Sequence, residues 1–150
     1  MRRGLIALAF AALMYIPAAG QDKAVMTTVQ GFVDAFNKGD TKAALAMCTE
    51  QAQIIDEFSP FEWRGEGACA KWFADYDADA KKNAVTDGAV TLGAPRHVDV
   101  AGERAYVVVP ADYTYKEKGK PEKETASTLT IVLRKGAAGW RISAWSWSKN

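Results

Sequence analysis

The stretch QIIDEFSPFEWRG, residues 53–65, organises the rest of the chain. It places Asp56 and Glu57 directly after an isoleucine pair, then continues through a Ser-Pro turn into an aromatic segment that ends at glycine. A helical hairpin is predicted before it, and a helix and a run of strands are predicted after it. A carboxyl group at the edge of an apolar pocket loses hydration, which raises its pKa toward that of a useful base. Asp56 is therefore the candidate catalytic residue.

The residues before this stretch have the periodicity of a helical hairpin. Apolar side chains recur three or four positions apart, which predicts an amphipathic helix over residues 23–38. Gly39 is the expected end of that helix, and Asp40 is a good N-cap for a shorter helix over residues 41–47. The apolar face of the first helix consists of Val25, Val29, Phe32, Val33 and Phe36.

A short strand and a third helix are predicted on either side of the aromatic segment. Residues 51–58 contain the isoleucine pair and precede the Ser-Pro dipeptide, which fits a short strand that ends in a turn. An apolar stripe at helical spacing predicts the third helix over residues 66–82. The stripe consists of Cys69, Trp72, Phe73, Tyr76 and Ala80.

The chain after residue 88 favours strands. Residues with high strand propensity predict strands over 89–92, 96–100, 104–116, 124–134 and 140–147. Pro110 removes one hydrogen-bond donor from its strand, so a bulge or a locally unpaired edge is expected there. Because helices and strands do not alternate along the chain, a parallel sheet is disfavoured. The predicted fold class is α+β, in a single domain over residues 21–150.

The first twenty residues have the three-part pattern of a secretory signal peptide. Arg2 and Arg3 make a basic start, an apolar segment follows, and small residues end the pattern, with cleavage expected between Gly20 and Gln21. The apolar segment is shorter than the roughly 20 residues that span a bilayer, which disfavours an uncleaved anchor. The mature protein is therefore expected to be secreted or periplasmic and not bound to a membrane.

The charge balance of the mature chain disfavours a nucleic-acid partner. Cleavage removes Arg2 and Arg3, so 17 of the 19 basic residues remain against 18 acidic residues. This near-neutral balance lacks the basic footprint of a nucleic-acid binder. The dense charges of residues 116–124 alternate in sign around a Gly-Pro turn, and we interpret them as a solvated hairpin tip.

The two cysteines and the single histidine restrict metal and redox chemistry. In an oxidising compartment Cys48 and Cys69 are a candidate disulfide, and two buried free thiols are the alternative. His97 without a cysteine cluster does not suggest a zinc site. The sequence contains neither a nucleophile elbow nor a phosphate-binding glycine loop, so no metal and no cofactor are expected.

Three motifs and their order resemble a known superfamily. The motifs are FxxxFNKGD at residues 32–40, IID at 54–56 followed by WRG at 63–65, and GWRI at 139–142. They resemble the nuclear transport factor 2-like superfamily, in its exported SnoaL-like and ketosteroid-isomerase-like branch, over residues 24–149. The resemblance implies three helices packed on a strongly curved, mostly antiparallel sheet, which together form a cone with an open apolar pocket. It also implies a homodimer that forms through the outer face of the sheet.

The resemblance transfers only part of the isomerase machinery to this chain. It places Asp56 on the family's general base. The tyrosine that stabilises the oxyanion falls at Phe32, which has no hydroxyl group, and the second acid falls within residues 127–131, which contain none. A steroid isomerase in the strict sense is disfavoured, because the enolate would lack matched donors.

The candidate pocket combines Asp56 with apolar and aromatic side chains. Ile54 and Phe58 share a strand face with Asp56 by alternation, and Glu57 is expected on the opposite face. Tyr113 and Tyr115 are candidates for a hydroxyl donor or for packing, and Trp145 and Trp147 for the pocket or a dimer surface. The predicted pocket residues are Phe32, Phe36, Ile54, Phe58, Trp63, Trp72, Tyr76, Tyr113 and Tyr115.

Three functions are compatible with these features. The leading hypothesis is an exported domain that binds a small hydrophobic molecule, with Asp56-dependent acid–base chemistry of the isomerase, cyclase or dehydratase type. A second is a non-catalytic carrier that uses the same pocket. A third is an association module that binds itself or another protein through its sheet, with Trp145 and Trp147 as candidate contacts. Whether the protein is an enzyme is left open, because one fold supports many functions.

Overall fold

The computed structural model describes residues 18–150. The predicted signal peptide, residues 1–20, lies outside the described residues in its first 17 positions. Between residues 18 and 150 the chain forms three helices and seven strands. They are α1 Ala18–Asn37, α2 Thr41–Ala46, β1 Cys48–Ile55, β2 Glu62–Glu66, α3 Ala68–Asn83, β3 Val85–Leu92, β4 His97–Ala101, β5 Arg104–Glu117, β6 Lys120–Gly136 and β7 Gly139–Ser148.

The helical hairpin forms for the reasons that its sequence predicts. The apolar face of α1 is buried in the core, including Val25 and Val29, which are fully buried. Gly39 has a positive φ of 67°, which lets the chain turn sharply after α1. The Asp40 side chain then accepts a hydrogen bond from the Ala43 N–H at 3.0 Å and caps α2. Both helices and the turn between them are confirmed.

The strands form one sheet in the order β2-β1-β7-β6-β5-β3, with β4 also paired to β5. All described neighbours are antiparallel except β1 and β7, which are parallel. Register shifts interrupt β3, β5 and the β6–β7 ladder, and such bulges bend a sheet. The curved sheet packs against the helices on its inner face. The predicted α+β class with a mostly antiparallel sheet is confirmed.

The region around the aromatic segment differs from the prediction. The first strand runs over Cys48–Ile55 rather than residues 51–58, so Asp56 lies just beyond its end. A second strand, β2, occupies part of the aromatic segment and pairs antiparallel with β1, with Trp63 opposite Ile54. The sequence predicted one strand before the third helix, whereas the structure has two, β1 and β2. Residues 61–64 do alternate between apolar and polar side chains, but this strand signal spans only four positions and was missed.

Pro110 lies where β5 changes its neighbour along one edge. Along this edge β4 pairs with β5 as far as Val108, and β3 pairs with β5 from Ala111 onward. Pro110 lies in the gap between them, so neither strand requires an N–H from it. The Pro110 carbonyl instead accepts a hydrogen bond from the Gly93 N–H at 2.8 Å. The prediction of a locally unpaired edge is confirmed, and its cause is the missing donor of proline.

A disulfide joins the first strand to the third helix. Cys48 begins β1 and Cys69 lies in the first turn of α3, and their sulfur atoms are bonded. The link holds the first turn of α3 against the start of β1. Within residues 18–150 no helix is long and apolar enough to cross a membrane.

Candidate functional site

The helices and the inner face of the sheet enclose a cavity of about 270 Å³. Helices α1 and α3, the loop after β1 and strands β3, β5, β6 and β7 all contribute side chains to its lining. Nine of these are aromatic, and we refer to them together as the aromatic wall. The aromatic wall consists of Phe32, Phe36, Phe58, Trp72, Tyr76, Tyr113, Tyr115, Trp145 and Trp147.

The rings of the aromatic wall are packed against one another. Trp72 stacks on Tyr76 with ring centroids 5.5 Å apart and meets Trp145 edge-on at 4.9 Å. Tyr113 and Tyr115 stack at 4.9 Å on the inner face of β5. Offset and edge-to-face contacts of this kind fix each ring in place. The cavity is therefore preformed and apolar over most of its surface.

Asp56 lies in the cavity lining, held by two N–H donors. Its Oδ2 accepts a hydrogen bond from Trp72 Nε1 at 2.8 Å, and its Oδ1 accepts one from the Glu57 N–H at 2.7 Å. Burial raises the pKa of Asp56, although both hydrogen bonds act in the opposite direction. The result is a carboxyl group of fixed orientation that is a stronger base than a solvated aspartate.

A second pair of carboxyl groups, Glu57 and Glu124, also lines the cavity. Glu124 is only 8% exposed, and it accepts hydrogen bonds from Lys149 Nζ at 2.7 Å and from Trp147 Nε1 at 3.3 Å. Burial raises the pKa of Glu57 to about 7, and both the hydrogen bond with Glu124 and the negative charge of Glu124 add to this effect. Lys149 Nζ, 3.7 Å from Glu57, lowers the pKa and only partly offsets this effect.

The position of Glu57 corrects the predicted alternation. Glu57 was expected to point away from the face of Asp56, but both line the cavity. The strand ends at Ile55, so the two residues lie in a loop, where the two-residue alternation of a strand no longer applies. The loop is closed by a hydrogen bond from the Asp56 N–H to the Phe61 carbonyl at 3.1 Å.

Two tyrosines bring hydroxyl groups into the cavity lining. Tyr76 from α3 and Tyr113 from β5 have their hydroxyl oxygens 2.7 Å apart. One hydroxyl donates a hydrogen bond to the other, so the second hydroxyl is free to donate its own hydrogen bond to a bound molecule. A Cβ atom at Gly88 would lie 2.6 Å from the Tyr113 oxygen and 2.7 Å from the Tyr76 oxygen. The tyrosine pair therefore requires a glycine at that position.

Seven of the nine predicted pocket residues lie in the lining, and two do not. Ile54 is fully buried in the core, and Trp63 is 5% exposed and outside the lining. Trp63 Nε1 donates to Asp75 Oδ2 at 2.7 Å. Because β1 and β2 pair Ile54 with Trp63 and pack on α3, both side chains fill the core instead of the cavity. For these two residues the prediction was wrong.

The sequence left open whether Trp145 and Trp147 line the pocket or form a dimer surface, and the structure places them in the pocket. Both lie on β7 and line the cavity, so neither is available as a contact on the outer face of the sheet. The association hypothesis loses these two candidates. Alternation along the strand showed that they share a face, but only the packed helices define which face is the inner one.

Glu124 was missed because it was grouped with the charges of the hairpin tip. It lies two residues before Ala126, which has a positive φ of 58° and donates its N–H to Asp112 Oδ1 at 3.0 Å. This irregularity lies opposite the register shift in β5, so simple alternation does not predict which side chains turn inward. Among residues 18–150 no three histidine, cysteine or acidic side chains are arranged to hold a metal ion.

Comparison with known proteins identifies the type of domain. A family model of the SnoaL-like domain matches residues 25–149. No curated protein matches the sequence at a significant level.

Solved structures share the fold at low sequence identity. A nuclear transport factor 2-like superfamily protein from Salmonella enterica serovar Typhimurium is 18% identical, with a TM-score of 0.75 over 89% of this chain and 93% of that one. A ketosteroid isomerase-like protein from Erwinia carotovora atroseptica is 21% identical, with a TM-score of 0.67 over 86% and 95%. The CaMKII hub of S. rosetta is 25% identical, with a TM-score of 0.71 over 90% and 100%.

Proposed function

The chain belongs to the SnoaL-like domain family, and we propose that it binds a small, largely apolar molecule in its cavity and uses Asp56 as an acid–base group on that molecule. One observation carries the proposal. The Asp56 carboxyl group is fixed by two N–H donors in the lining of an aromatic cavity, where burial raises its pKa. A positioned carboxylate with a raised pKa is what general base catalysis requires.

The chemistry would be proton transfer at carbon. The Asp56 carboxylate removes a proton from a C–H group next to a carbonyl, and the bonding electrons move onto the carbonyl oxygen. The free hydroxyl hydrogen of the Tyr76–Tyr113 pair donates to that oxygen as its charge develops. Returning the proton at another carbon completes an isomerisation, and loss of a leaving group completes a dehydration.

The tyrosine pair would replace the donor that the family pattern has at position 32 and that this chain lacks. Position 32 is phenylalanine, and its ring lies in the cavity lining without a hydroxyl group. Tyr76 and Tyr113 bring their hydroxyl groups from α3 and β5 instead. Burial raises the pKa of Tyr76, and the charges of Asp77 and Asp56 add to the effect, so this hydroxyl stays protonated and able to donate.

The test uses an apolar ketone as a probe of base catalysis. We would follow α-deuterium exchange of 2-tetralone in D₂O by NMR with the wild type, Asp56→Asn and Asp75→Asn. Asp75 is the matched control, because it also accepts a tryptophan N–H but lies on the exposed side of α3. We expect Asp56→Asn to slow catalysed exchange by about 100-fold or more while binding is kept, and Asp75→Asn to behave as wild type.

Two other results would redirect the proposal. If Asp56→Asn exchanges the ketone as fast as wild type, Asp56 is not the base. If all three proteins bind 2-tetralone and none accelerates its exchange, the cavity belongs to a carrier without catalysis.

Self-association is a second candidate function, supported by exposed apolar side chains on the sheet. Ile55 is 51% exposed and Tyr106 is 44% exposed, and the strand pairings place both on the outer face. The likeness to a kinase hub, an assembly domain by name, points the same way. Sedimentation at micromolar concentration should show a dimer that Tyr106→Lys weakens. A monomer at every concentration would exclude this function.

We also propose that the protein is exported. The disulfide between Cys48 and Cys69 supports this, because such bonds persist in oxidising compartments. The mass of the protein recovered from the periplasm or the medium should correspond to a chain that begins at Gln21. Recovery of the full-length chain from the cytosol alone would contradict it.

A further inference from the structure

We propose that the molecule bound in the cavity is an organic cation, an amine or quaternary ammonium whose charge lies against the aromatic wall beside Glu57 and Glu124. This inference rests on the proposed function, since it names the class of molecule that the same cavity accepts. Two independent features of the lining support it, the sign of its charges and the kind of surface beside them.

The charged side chains in the lining are mostly acidic. Among the described residues, five carboxyl groups line the cavity and Lys149 is the single basic side chain there. Lys149 lies 2.7 Å from Glu124 and 3.7 Å from Glu57, so one positive charge serves two acids. Asp56 has only neutral N–H donors as hydrogen-bond partners. The cavity therefore has an excess of negative charge.

The surface beside these acids is aromatic. Trp147 Nε1 donates to Glu124, so an indole ring lies directly next to the buried carboxyl group. Burial raises the pKa of Tyr115, and the nearby charge of Glu124 raises it further. The ring of Tyr115 stacks on that of Tyr113. An ammonium group within about 6 Å of a ring face is attracted by the π-electrons, more strongly where water is excluded. Carboxylates and ring faces in one cavity are the two groups that hold an organic cation.

Neutral and anionic molecules suit the same lining less well. A neutral molecule displaces water from the acids without giving them a partner, which costs free energy. An anion is repelled by the excess negative charge. A cation with an apolar body offsets the lost hydration of the carboxyl groups and covers the rings at the same time.

Proton linkage gives the inference a second, independent readout. Burial and the neighbouring Glu124 raise the pKa of Glu57 to about 7, so this carboxyl group is partly protonated at neutral pH. A bound cation favours its ionised form, so binding should release a proton and become tighter as pH rises through 7. The other titratable groups that face this position are Asp56 on the same loop, Glu124 on β6, Lys149 after β7 and Tyr115 on β5.

The experiment compares molecules of nearly equal shape and different charge. Phenyltrimethylammonium and tert-butylbenzene differ in having a nitrogen cation or a carbon at the branched centre, and benzoate supplies an anion. We would titrate each into the wild-type protein at pH 6 and pH 8 and follow binding by NMR. We expect the cation to bind about tenfold tighter than tert-butylbenzene, to bind tighter at pH 8, and benzoate not to bind.

The outcomes separate this inference from the proposed function. If tert-butylbenzene binds as tightly as the cation or more tightly, the inference fails while an apolar binding cavity remains. If none of the three molecules binds, the inference fails, and the exchange of 2-tetralone decides the proposed function separately. If the cation binds better but with no dependence on pH between 6 and 8, its charge does not lie beside Glu57 and the stated position is wrong.

A matched pair of variants tests the position of the charge. Glu57→Gln should weaken binding of the cation by about fivefold and remove its pH dependence, with tert-butylbenzene unaffected. Glu103→Gln removes the same charge from the exposed turn between β4 and β5, outside the cavity lining, and should change neither. Equal weakening by both variants would mean that net charge alone acts, which overturns the inference.

Discussion

Two hydrogen bonds between a tryptophan and an aspartate look alike in this protein and lie in different surroundings. Trp72 Nε1 donates to Asp56 at 2.8 Å, and Trp63 Nε1 donates to Asp75 at 2.7 Å. Both indole rings are 5% exposed. Asp56, however, is half-buried in the cavity lining, whereas Asp75 lies on the exposed side of α3.

The difference shows that surroundings, rather than the hydrogen bond, decide what a carboxyl group can do. A neutral N–H donor stabilises a carboxylate and lowers its pKa. Burial in the cavity outweighs that effect at Asp56 and raises its pKa above its ordinary value. Asp75 keeps its contact with water, so its bond to Trp63 serves packing. The same pair of residue types thus holds a buried carboxyl group of raised pKa in one place and a packing contact in the other.

Removing each indole N–H should give the largest contrast. Trp72→Phe and Trp63→Phe lose similar ring volume, but only the first leaves a partly buried carboxylate short of a donor. We expect a loss in the free energy of unfolding of about 3 kcal/mol for Trp72→Phe and about 1.5 kcal/mol for Trp63→Phe, measured by urea denaturation. Equal losses would show that water replaces the lost hydrogen-bond donor at Asp56 as readily as it does at Asp75.

Neutralising Asp56 should change the pH dependence of stability. The folded pKa of Asp56 lies above its ordinary value of 3.8, so the folded state binds the extra proton, and ionisation destabilises it as pH rises through that window. Asp56→Asn does not undergo this ionisation, so it should gain stability relative to wild type as pH rises above 3.8, measured by urea denaturation at a series of pH values.

Asp75→Asn serves as the control for that experiment. The fit of the new amide to its neighbours does not depend on pH and cancels in the comparison, so only ionisation is measured. A gain at Asp75→Asn as large as that at Asp56→Asn would remove the distinction between the two sites.

Glu57 extends the comparison to a carboxyl group that is only partly shielded. Its pKa is raised from 4.5 to about 7, so its ionisation should destabilise the folded state as pH rises between those values. Glu57→Gln should therefore gain stability relative to wild type from pH 5 to pH 8. The gain should stay below about 1 kcal/mol, because the side chain is 35% exposed and solvent screens it. Thermal unfolding at each pH, with Glu103→Gln as control, measures it.

Local patterns were enough to predict the helices. The spacing of Val25, Val29 and Phe32 determines a helix with one buried face, and Gly39 followed by Asp40 ends it and starts the next. These signals act over a few residues, where side-chain periodicity and capping decide the conformation. The isoleucine pair ahead of Asp56 does end a strand, with Ile54 buried and Ile55 exposed.

Contacts between distant segments could not be predicted in the same way. Trp63 was placed in the pocket because it is aromatic and close to Asp56 in sequence, but pairing with β1 turns it into the core. Glu124 was grouped with solvated charges, but it is buried against Trp147 and Lys149, more than twenty residues further along the chain. Neither outcome has a local sequence signal, because each depends on which strands meet.

By itself, therefore, the sequence determined the α+β class, the helical hairpin and the superfamily resemblance. The tertiary structure alone decided which aromatic rings surround the cavity, that Glu57 and Glu124 lie together, and that Asp56 and Asp75 differ. The reason is physical. Helix and turn formation depend on neighbouring residues, whereas desolvation and charge coupling depend on side chains that only a folded sheet brings within a few ångströms.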